Sequence, residues 1–472
     1  MSGHSTAHEI AGRLAAEHGW TDPPLDWLAV AGTPSALATD LPIADMATAA
    51  QGLVGLSAAA LHARRGGPEQ TVTVDRRAAS MSMTASAYLL VNGERATAWD
   101  PLTGYFAAAD GWVYLHCQFA HLRDRLLAAF GLPNDPDTVR AALAGMPAQK
   151  IEDVAAAAGV CAIMRRDRAT WQAHPHGRHL AGLPVLQLGR QGCVTDAPYA
   201  QRPVGCVRDA PLSGVRVLDL SRVIAGPMIG RTLAEHGADV LRIAGPELPF
   251  FEGLVINTGF GKRAAHIDLT SDAGREAFAS LVRDADVVID GYRPGALARR
   301  GFGPESLRAL QPDLIYLTLS AFGETGPWGG RPGFDTYVQG ATGLSQDGPD
   351  GPTRLPCQPL DYLTGYLGAA TIMTALRRRL DEGGGWHAEL SLARMAMWIW
   401  QEADRHGRDP DAPAANPDIR DVDELRWEMA SEFGVLSALA PAVHLSETPP
   451  RWRTPPVPLG THAPEWLSQG TG

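Results

Sequence analysis

Hydrophobic residues between positions 213 and 402 fall into short β-branched runs separated by amphipathic segments. The runs predict strands at 215–220, 240–244, 286–290, 313–320 and 386–391. Helical periodicity predicts helices at 227–236, 271–284 and about 361–380, and Pro227 and Gly237 suit the two ends of the first. Strands that alternate with helices are typical of a doubly wound parallel sheet, so the predicted fold class is α/β.

The first 200 residues have a different pattern, which predicts a smaller α/β domain at 91–200. Residues 105–117 alternate around an Asp-Gly pair, as a hairpin does, and helices at 120–130 and about 150–158 precede a short strand at 159–163. The other predicted segments are an N-terminal extension at 1–40, a linker at 403–440 and a proline-rich tail at 441–472.

Residues 42–74 and 359–391 resemble each other, which indicates an internal repeat. Each places an Asp, a Thr three residues later and a Gly seven residues later at the head of an Ala-rich helix. Each helix then leads through an Arg pair to a Gly-rich turn and a strand. The two Asp residues are Asp45 and Asp361. The matched offsets favour duplication over chance, so residues 41–90 are predicted to be a partial repeat.

Composition narrows the class of protein. The 472 residues include 41 Lys and Arg against 52 Asp and Glu, and the net charge of −11 disfavours binding to nucleic acid or to an anionic membrane. The sequence contains no apolar run of about 18 residues, so no membrane span is predicted. The five cysteines are widely separated, which favours reduced thiols and a cytoplasmic location.

Cations are frequent in the loops and at the strand ends of the C-terminal half, where ligands of open α/β sheets bind. They are Arg222, Arg242, Lys262, Arg263, Arg293, Arg299 and Arg300. In an acidic chain this distribution suggests a phosphorylated ligand, and the alternative for any single cation is a solvated or carboxylate-paired side chain. The turn at 221–227 leads to a helix N-terminus, which favours anions, but it lacks a GxGxxG motif.

Asp361 follows a Gly- and Pro-rich loop at 321–360 and heads a predicted helix. From spacing alone two roles are open. An Asp at this place can cap free backbone N–H groups, and a carboxylate can attack an activated acyl group to form a mixed anhydride. The histidines of HPHGRH at 174–179 are interrupted by Pro and Gly, which break the helix that would align them, so no metal site is predicted.

An ordered set of segments between 213 and 395 resembles the class III (CaiB/BaiF) CoA-transferases, a family that includes formyl-CoA transferase and the α-methylacyl-CoA racemases. The segments are SGVRVLDLSRVIAGP, GADVLRI, NTGFGKRAAHIDL, ADVVIDGYRPGALARRGFG and LSAFGETGP. The N-terminal part resembles the same family out of order, with an Asp-headed helix at 42–75 and the small domain at 99–200. The chain thus resembles a truncated first copy of a family member, followed by a second copy that lacks its own small domain.

The resemblance implies that CoA moves from an acyl-CoA donor to a carboxylic acid through aspartyl anhydride and aspartyl-CoA thioester intermediates. Asp361 matches the family's nucleophile. Asp45 matches the same motif, and we interpret it as a structural relic. The resemblance also implies a Rossmann-like CoA-binding domain at 213–402, coenzyme A as a substrate, no metal and an interlocked homodimer. The residues expected to contact CoA are Arg222, Val223, Ile224 and Arg299, together with the neighbouring cations Lys262 and Arg263.

Two departures from the family pattern define the alternatives. Ala244 and Gly245 stand where the family has a strand-end acidic residue and a basic residue, which leaves a non-catalytic CoA-binding protein open. Phe334 stands before Asp335, where the racemases have a His that exchanges a proton. Racemisation by that pair is not expected, so an acyl-CoA racemase or isomerase would need another partner for Asp361.

Overall fold

A seven-stranded sheet organises the C-terminal half of the protein. The structure is a computed structural model that describes residues 6–33, 37–96, 99–191, 209–409 and 412–467. In sheet order the strands are Lys262–His266, Asp239–Ala244, Arg216–Leu220, Val287–Asp290, Ile315–Ser320, Gly385–Ser391 and Gln187–Gln191. The first six pair in parallel, which confirms the predicted parallel sheet. The last strand is antiparallel and comes from the N-terminal half.

Helices cover this sheet, because its central strands are apolar on both faces. The helices that contact its strands include Ala225–Glu235, Pro359–Glu382 and Leu392–His406. The other helices of the C-terminal half are Glu252–Asn257, Asp272–Arg283, Pro304–Leu310 and Asp335–Thr342. The helix Ala225–Glu235 follows the strand Arg216–Leu220 and is buried along its whole length. The turn between that strand and that helix opens at the carboxyl end of the sheet, where ligands of doubly wound folds bind.

Two long Ala-rich helices pack side by side in the middle of the molecule. They are Ile43–Arg64, called the Asp45 helix below, and Pro359–Glu382, called the Asp361 helix. Both are buried along most of their length. Each leads into a strand, Val72–Asp75 after the first and Gly385–Ser391 after the second. The local structure of the two halves is therefore alike where the sequence repeats.

The small α/β unit has a core of its own. Its three strands are Gly104–Ala108, Gly111–Leu115 and Ala162–Met164, and its helices are Ala120–Phe130, Pro136–Ala144 and Ala148–Ala157. Phe106, Leu126 and Ile151 are among the residues that fill this core. Two short helices, Arg168–Ala173 and Pro175–Ala181, then lead the chain to the edge strand of the large sheet.

The two ends of the chain meet in a second sheet. Its strands are Leu28–Ala31, Val72–Asp75 and Val443–Leu445, and the N-terminal helix Thr6–Glu17 packs on the Asp45 helix. The predicted N-terminal extension therefore belongs to the main core rather than standing apart from it.

Two segments contain more regular structure than the sequence predicts. The loop at 321–360 includes the helix Asp335–Thr342 and a hairpin of Gln346–Gly348 with Gly351–Thr353. The predicted linker at 403–440 includes the end of a helix and the strands Arg426–Ser431 and Gly434–Leu439, which form a sheet with Leu90–Val91 and Glu94–Arg95. High Gly, Pro and Asp content hides these elements, and this last sheet is completed by Leu90–Val91 and Glu94–Arg95, which lie far away in the sequence. Among the described residues no helix is both long and apolar enough to cross a membrane.

Candidate active site

Asp361 is the third residue of its helix and lies between two cavities. The larger cavity has a volume of about 470 Å³ and the smaller about 210 Å³. Asp361 is only 6% exposed, yet it lines both. A carboxylate in this position can reach a ligand that enters from either side.

Asp335, rather than Asp361, caps the Asp361 helix. The backbone N–H groups of Leu360 and Asp361 donate to the Asp335 carboxylate, the second over 2.9 Å. The Gln339 side-chain amide donates to the other Asp335 oxygen. In the described part of the chain, no hydrogen bond ties down the Asp361 carboxylate itself. The cap role that the sequence left open for Asp361 is therefore already filled, which favours the nucleophilic role.

The two carboxylates change each other's acidity. Burial and the neighbouring Asp335 charge raise the pKa of Asp361 well above its ordinary value. Burial also raises the pKa of Asp335, although the hydrogen bonds from Leu360, Asp361 and Gln339 oppose that rise. Two carboxylates in one buried space do not ionise together readily. The hydrogen bonds to Asp335 favour its charged form, so the proton that the pair retains resides mainly on Asp361.

Arg222, Val223 and Ile224 lie in the turn between the strand Arg216–Leu220 and the helix Ala225–Glu235. Val223 has φ of 70°, a left-handed conformation that costs a β-branched residue about 1–3 kcal/mol. Val223 and Ile224 line both cavities beside Asp361. The Arg222 guanidinium lies 5.1 Å from the centroid of the Phe119 ring and donates to the Pro249 carbonyl over 2.6 Å. The strained turn thus presents backbone and a cation to the space next to Asp361.

The smaller cavity is the more cationic of the two. Arg222, Arg293 and Arg331 line it together with Asp361. Arg331 pairs with Glu152 at 3.1 Å, whereas in the described ranges Arg222 and Arg293 contact only backbone carbonyls as acceptors. Guanidinium groups that are not neutralised by a carboxylate, beside a helix N-terminus, are suited to a phosphate-bearing ligand.

The other three predicted CoA contacts lie elsewhere. Lys262 is buried and forms an ion pair with Asp219, at 2.7 Å between Nζ and Oδ2. Arg263 pairs with Asp239 at 3.0 Å, and Arg299 is exposed on a short 3-10 helix. None of the three lines the cavities beside Asp361. Their contact with CoA stays a prediction without a supporting contact. For Lys262 and Arg263 the sequence shows the cation but not the carboxylate that neutralises it.

The larger cavity is lined by residues from distant parts of one chain. Ser86, Trp99 and His116 come from the N-terminal half, whereas Arg354 and Asp361 come from the C-terminal half. Sequence reasoning missed Trp99, His116 and Arg354. No motif marks them, since their proximity depends on how the small domain packs against the large sheet.

His116 stacks on Phe334, the residue that replaces the racemase histidine. The ring centroids lie 3.9 Å apart with an interplanar angle of 14°. Burial, with a smaller effect of Arg354, lowers the pKa of His116 to about 3. Its Nδ1 is buried and has no hydrogen-bond partner among the described residues. The imidazole is therefore neutral near pH 7, and it is a weak base.

Asp45, the counterpart of Asp361 in the repeat, has a different environment. Its carboxylate pairs with Arg76 at 2.9 Å, and its side chain is 24% exposed. It lines neither of the two cavities at Asp361. Its interpretation as a relic stays a prediction.

The histidines of HPHGRH have structural partners. His174 caps the helix Pro175–Ala181 by accepting from the His176 N–H at 3.1 Å. The His176 ring contacts the Phe322 carbonyl at 2.8 Å, and His179 contacts the Thr325 hydroxyl at 2.9 Å. In the ranges that the structure describes, no three His, Cys, Asp or Glu side chains are grouped as a metal site would require.

Comparison with known proteins relates this chain to one family. The sequence model described as CoA-transferase family III matches residues 26–203 and 212–416, more than half of the chain. Succinate–glutarate CoA-transferase of Agrobacterium fabrum is 38% identical, over 39% of this chain and 52% of that protein. Succinyl-CoA:mesaconate CoA-transferase of Haloarcula hispanica is 35% identical, over 38% of this chain and 51% of that protein.

A solved structure matches over a similar extent. The crystal structure of a CaiB/BaiF family protein from Brucella suis is 29% identical, with a TM-score of 0.38, and the match covers 48% of this chain and 65% of that one. This chain spans about half the length of the curated relatives named above. The match to the family's sequence model nevertheless extends through both halves of the chain and includes Asp361. The chain belongs to CoA-transferase family III.

Proposed function

We propose that this protein is a CoA-transferase that moves CoA from an acyl-CoA donor to a carboxylic acid, with Asp361 as the nucleophile. The observation that carries the proposal is the position of the Asp361 carboxylate between a cationic cavity and a larger one. The cationic cavity suits the phosphates of CoA, and the larger one suits the acid. Family membership supports the same reaction class.

The proposed cycle begins when an Asp361 oxygen attacks the thioester carbon of the donor. The carbon–sulfur bond breaks, CoA leaves as a thiolate and a mixed anhydride forms on Asp361. The thiolate then attacks the Asp361 carbonyl carbon, which releases the donor acid and leaves an aspartyl-CoA thioester. The acceptor carboxylate attacks that thioester and displaces the thiolate again. Attack of the thiolate on the acceptor's acyl carbon yields the new acyl-CoA and restores Asp361.

Within this cycle, Arg222, Val223 and Ile224 are proposed to hold CoA at the strained turn. Their positions beside Asp361 support this role. The first N–H groups of the Asp361 helix are bonded to Asp335, so negative charge that develops on the carbonyl oxygen would be stabilised by the helix dipole rather than by those groups. Contacts of Lys262, Arg263 and Arg299 with CoA stay a prediction.

The racemase alternative requires a base other than Phe334, which cannot exchange a proton. The histidine in the same cavity is His116, and its pKa of about 3 makes it a poor base for removing an α-proton. The third possibility is a non-catalytic CoA-binding protein. The position of the Asp361 carboxylate on both cavities, without a hydrogen bond that ties it down among the described residues, supports the transferase over both.

We also propose a cytoplasmic homodimer. The interlocked dimer follows from the family resemblance, and the buried free thiols of Cys117, Cys161 and Cys357 support a reducing compartment. Cys193 and Cys206, which contribute to the same prediction, lie outside the described residues.

The test is CoA transfer between a panel of acyl-CoAs and free acids, followed by chromatography of the products. The wild-type chain should form a new acyl-CoA from at least one pair, and Asp361→Asn should lower the rate at least 1,000-fold, because the variant lacks a nucleophilic carboxylate. Asp45→Asn is the matched control and should keep the wild-type rate. Exchange of the α-hydrogen with solvent deuterium without CoA transfer would instead establish the racemase. CoA binding without turnover of any pair would establish the binding protein.

A further inference from the structure

Gln358 and Asp361, the N-cap and the third residue of the Asp361 helix, have side chains without a capping role. In a capping box, the N-cap side chain accepts from the third N–H, and the third side chain accepts from the N-cap N–H. Here the Asp361 N–H donates to the Asp335 carboxylate instead, at 2.9 Å. The Gln358 N–H donates to the Met83 carbonyl, also at 2.9 Å. Partners from other segments therefore satisfy both N–H groups and leave both side chains to other tasks.

The Gln358 side-chain amide has no hydrogen-bond partner among the described residues. Its Oε1 atom is buried and unpaired, and its N–H groups donate to no described acceptor. Gln358 lines the larger cavity together with Asp361. Because buried polar groups in folded proteins are nearly always hydrogen-bonded, an unpaired amide in a cavity indicates that its partner is the ligand.

The proposed reaction needs a hydrogen-bond donor beside Asp361. When a carboxylate attacks a thioester, an electron pair moves onto the carbonyl oxygen, which becomes negatively charged and is stabilised by a donor already in place. The first N–H groups of the Asp361 helix are bonded to Asp335, so they are not available to this oxygen. Residues three apart at a helix start are neighbours on its surface, so the backbone holds the unpaired Gln358 amide near the nucleophile.

We propose that Gln358 is a further catalytic residue, whose side-chain amide donates a hydrogen bond to the oxyanion formed when Asp361 attacks the donor thioester. The bond between the Asp361 oxygen and the acyl carbon forms as the carbonyl electron pair moves onto the oxygen. That pair returns when the carbon–sulfur bond breaks and the thiolate leaves, and the amide keeps its proton throughout. This inference rests on the proposed CoA transfer and adds a residue to its machinery.

The test compares Gln358→Met with the wild-type chain in CoA transfer, since methionine has a similar length but no N–H donor. Loss of one oxyanion donor should lower kcat about 100- to 1,000-fold. The KM for the acyl-CoA should change by about threefold or less, because the hydrogen bond forms only in the transition state. Gln358→Asn keeps both donors on a shorter side chain, so its kcat should be intermediate. A wild-type kcat in Gln358→Met would leave the charge to the helix dipole and overturn the inference.

Gln346 provides a matched control on the hairpin that precedes the same helix. Its amide donates to the Thr39 hydroxyl at 3.4 Å, and it lines neither of the two cavities at Asp361. Gln346→Met should keep the wild-type kcat. Denaturant unfolding of Gln358→Met should give the wild-type midpoint, because its side chain gives up no hydrogen bond among the described residues. A loss of rate that accompanies a lowered midpoint would assign Gln358 a structural role and contradict the proposal.

Single-turnover trapping distinguishes this inference from the proposed function. The wild-type chain, mixed with an acyl-CoA and quenched with hydroxylamine, should form an adduct at Asp361. Gln358→Met should form the same adduct at a rate lowered by the same factor as its kcat. If the wild-type chain transfers CoA and Gln358→Met forms the adduct equally fast, the transfer stands and the catalytic role of Gln358 is wrong. If the wild-type chain forms no adduct and transfers no CoA, the transfer proposal fails, and the role of Gln358 fails with it.

Discussion

Asp361 and Asp335 divide two tasks that one aspartate at a helix start often performs alone. Asp335 satisfies the first N–H groups of the Asp361 helix, so the Asp361 carboxylate has no structural bond to give up when it reacts. The same arrangement raises the pKa of Asp361, because burial and the charge of Asp335 disfavour ionisation of a second carboxyl group. At the scale of single residues, the Asp361 carboxylate is not held by a hydrogen bond among the described residues, but its raised pKa lowers the fraction that is ionised.

This balance predicts the pH dependence of the reaction. The attack requires the Asp361 carboxylate, and its pKa is raised, so kcat/KM should increase with pH through a midpoint above that of an ordinary carboxyl group. Asp335→Asn removes the neighbouring negative charge while keeping an acceptor oxygen for the cap. Its midpoint should therefore move to lower pH, by about one unit or ~1.4 kcal/mol. The pH–rate profiles of wild type, Asp335→Asn and the Asp45→Asn control measure this shift, and an upward or absent shift in Asp335→Asn would contradict the account.

At the scale of elements, the site depends on how closely two helices approach. The helix Ala225–Glu235 begins at the proposed CoA-binding turn and packs against the Asp361 helix. Gly365 makes this possible, since a Cβ there would lie 2.5 Å from the Met228 Cβ and 3.2 Å from the Ala225 carbonyl oxygen. The contact lies one turn along the helix from Asp361, so it fixes the nucleophile relative to the turn.

Gly365→Ala should therefore affect both stability and catalysis. We expect a loss of about 1–3 kcal/mol in the free energy of unfolding, as for other overpacked core positions, together with a lower kcat. Gly145→Ala is the control, because the nearest atom to a Cβ there lies at 3.8 Å and the residue has φ of −88°. Denaturant unfolding and steady-state rates on both variants provide the measurement. Wild-type stability in Gly365→Ala would show that the two helices are not tightly packed.

At the scale of the whole molecule, distant segments of one chain line the candidate site. The larger cavity has walls from the partial repeat, the small domain and the large sheet, all within one chain. The edge strand Gln187–Gln191 joins the N-terminal half to the large sheet, and the Asp45 and Asp361 helices pack against each other between them. Folding thus brings together segments that lie far apart in the sequence.

A site built within one chain predicts activity that does not depend on association. Specific activity per chain should stay constant across dilution, including any concentration range in which the proposed homodimer separates. Sedimentation at matched concentrations reports the oligomeric state alongside the rate. Activity that falls in proportion to the dimer fraction would mean that a second copy contributes to the site.

The sequence predicts much of the large sheet, because its strands and helices follow one another locally. Apolar runs and caps identify Arg216–Leu220 and Asp272–Arg283 within a few residues. The sequence also identifies Asp361 as a candidate site residue at a helix start, but its spacing cannot distinguish a helix cap from a nucleophile. That distinction depends on Asp335, which reaches the same helix start from a separate helix.

The rest of the site depends on contacts between distant segments, which no local pattern encodes. His116 and Phe334 stack across the boundary between the small domain and the large sheet. Lys262 is similar to a ligand-binding cation in sequence but is neutralised by Asp219 inside the fold. Hydrophobic periodicity predicts which face of a helix or strand is buried, but it does not predict which residues that face contacts.

The most direct test of the central claim is covalent trapping on Asp361. The chain is incubated with an acyl-CoA donor, treated with hydroxylamine or borohydride, and digested for peptide mass spectrometry. The account predicts a hydroxamate or a reduced side chain at Asp361, formed only when the donor is present and absent from Asp361→Asn. A modification at Asp45, or a chain that turns over acyl-CoA with Asp361 unmodified, would contradict it.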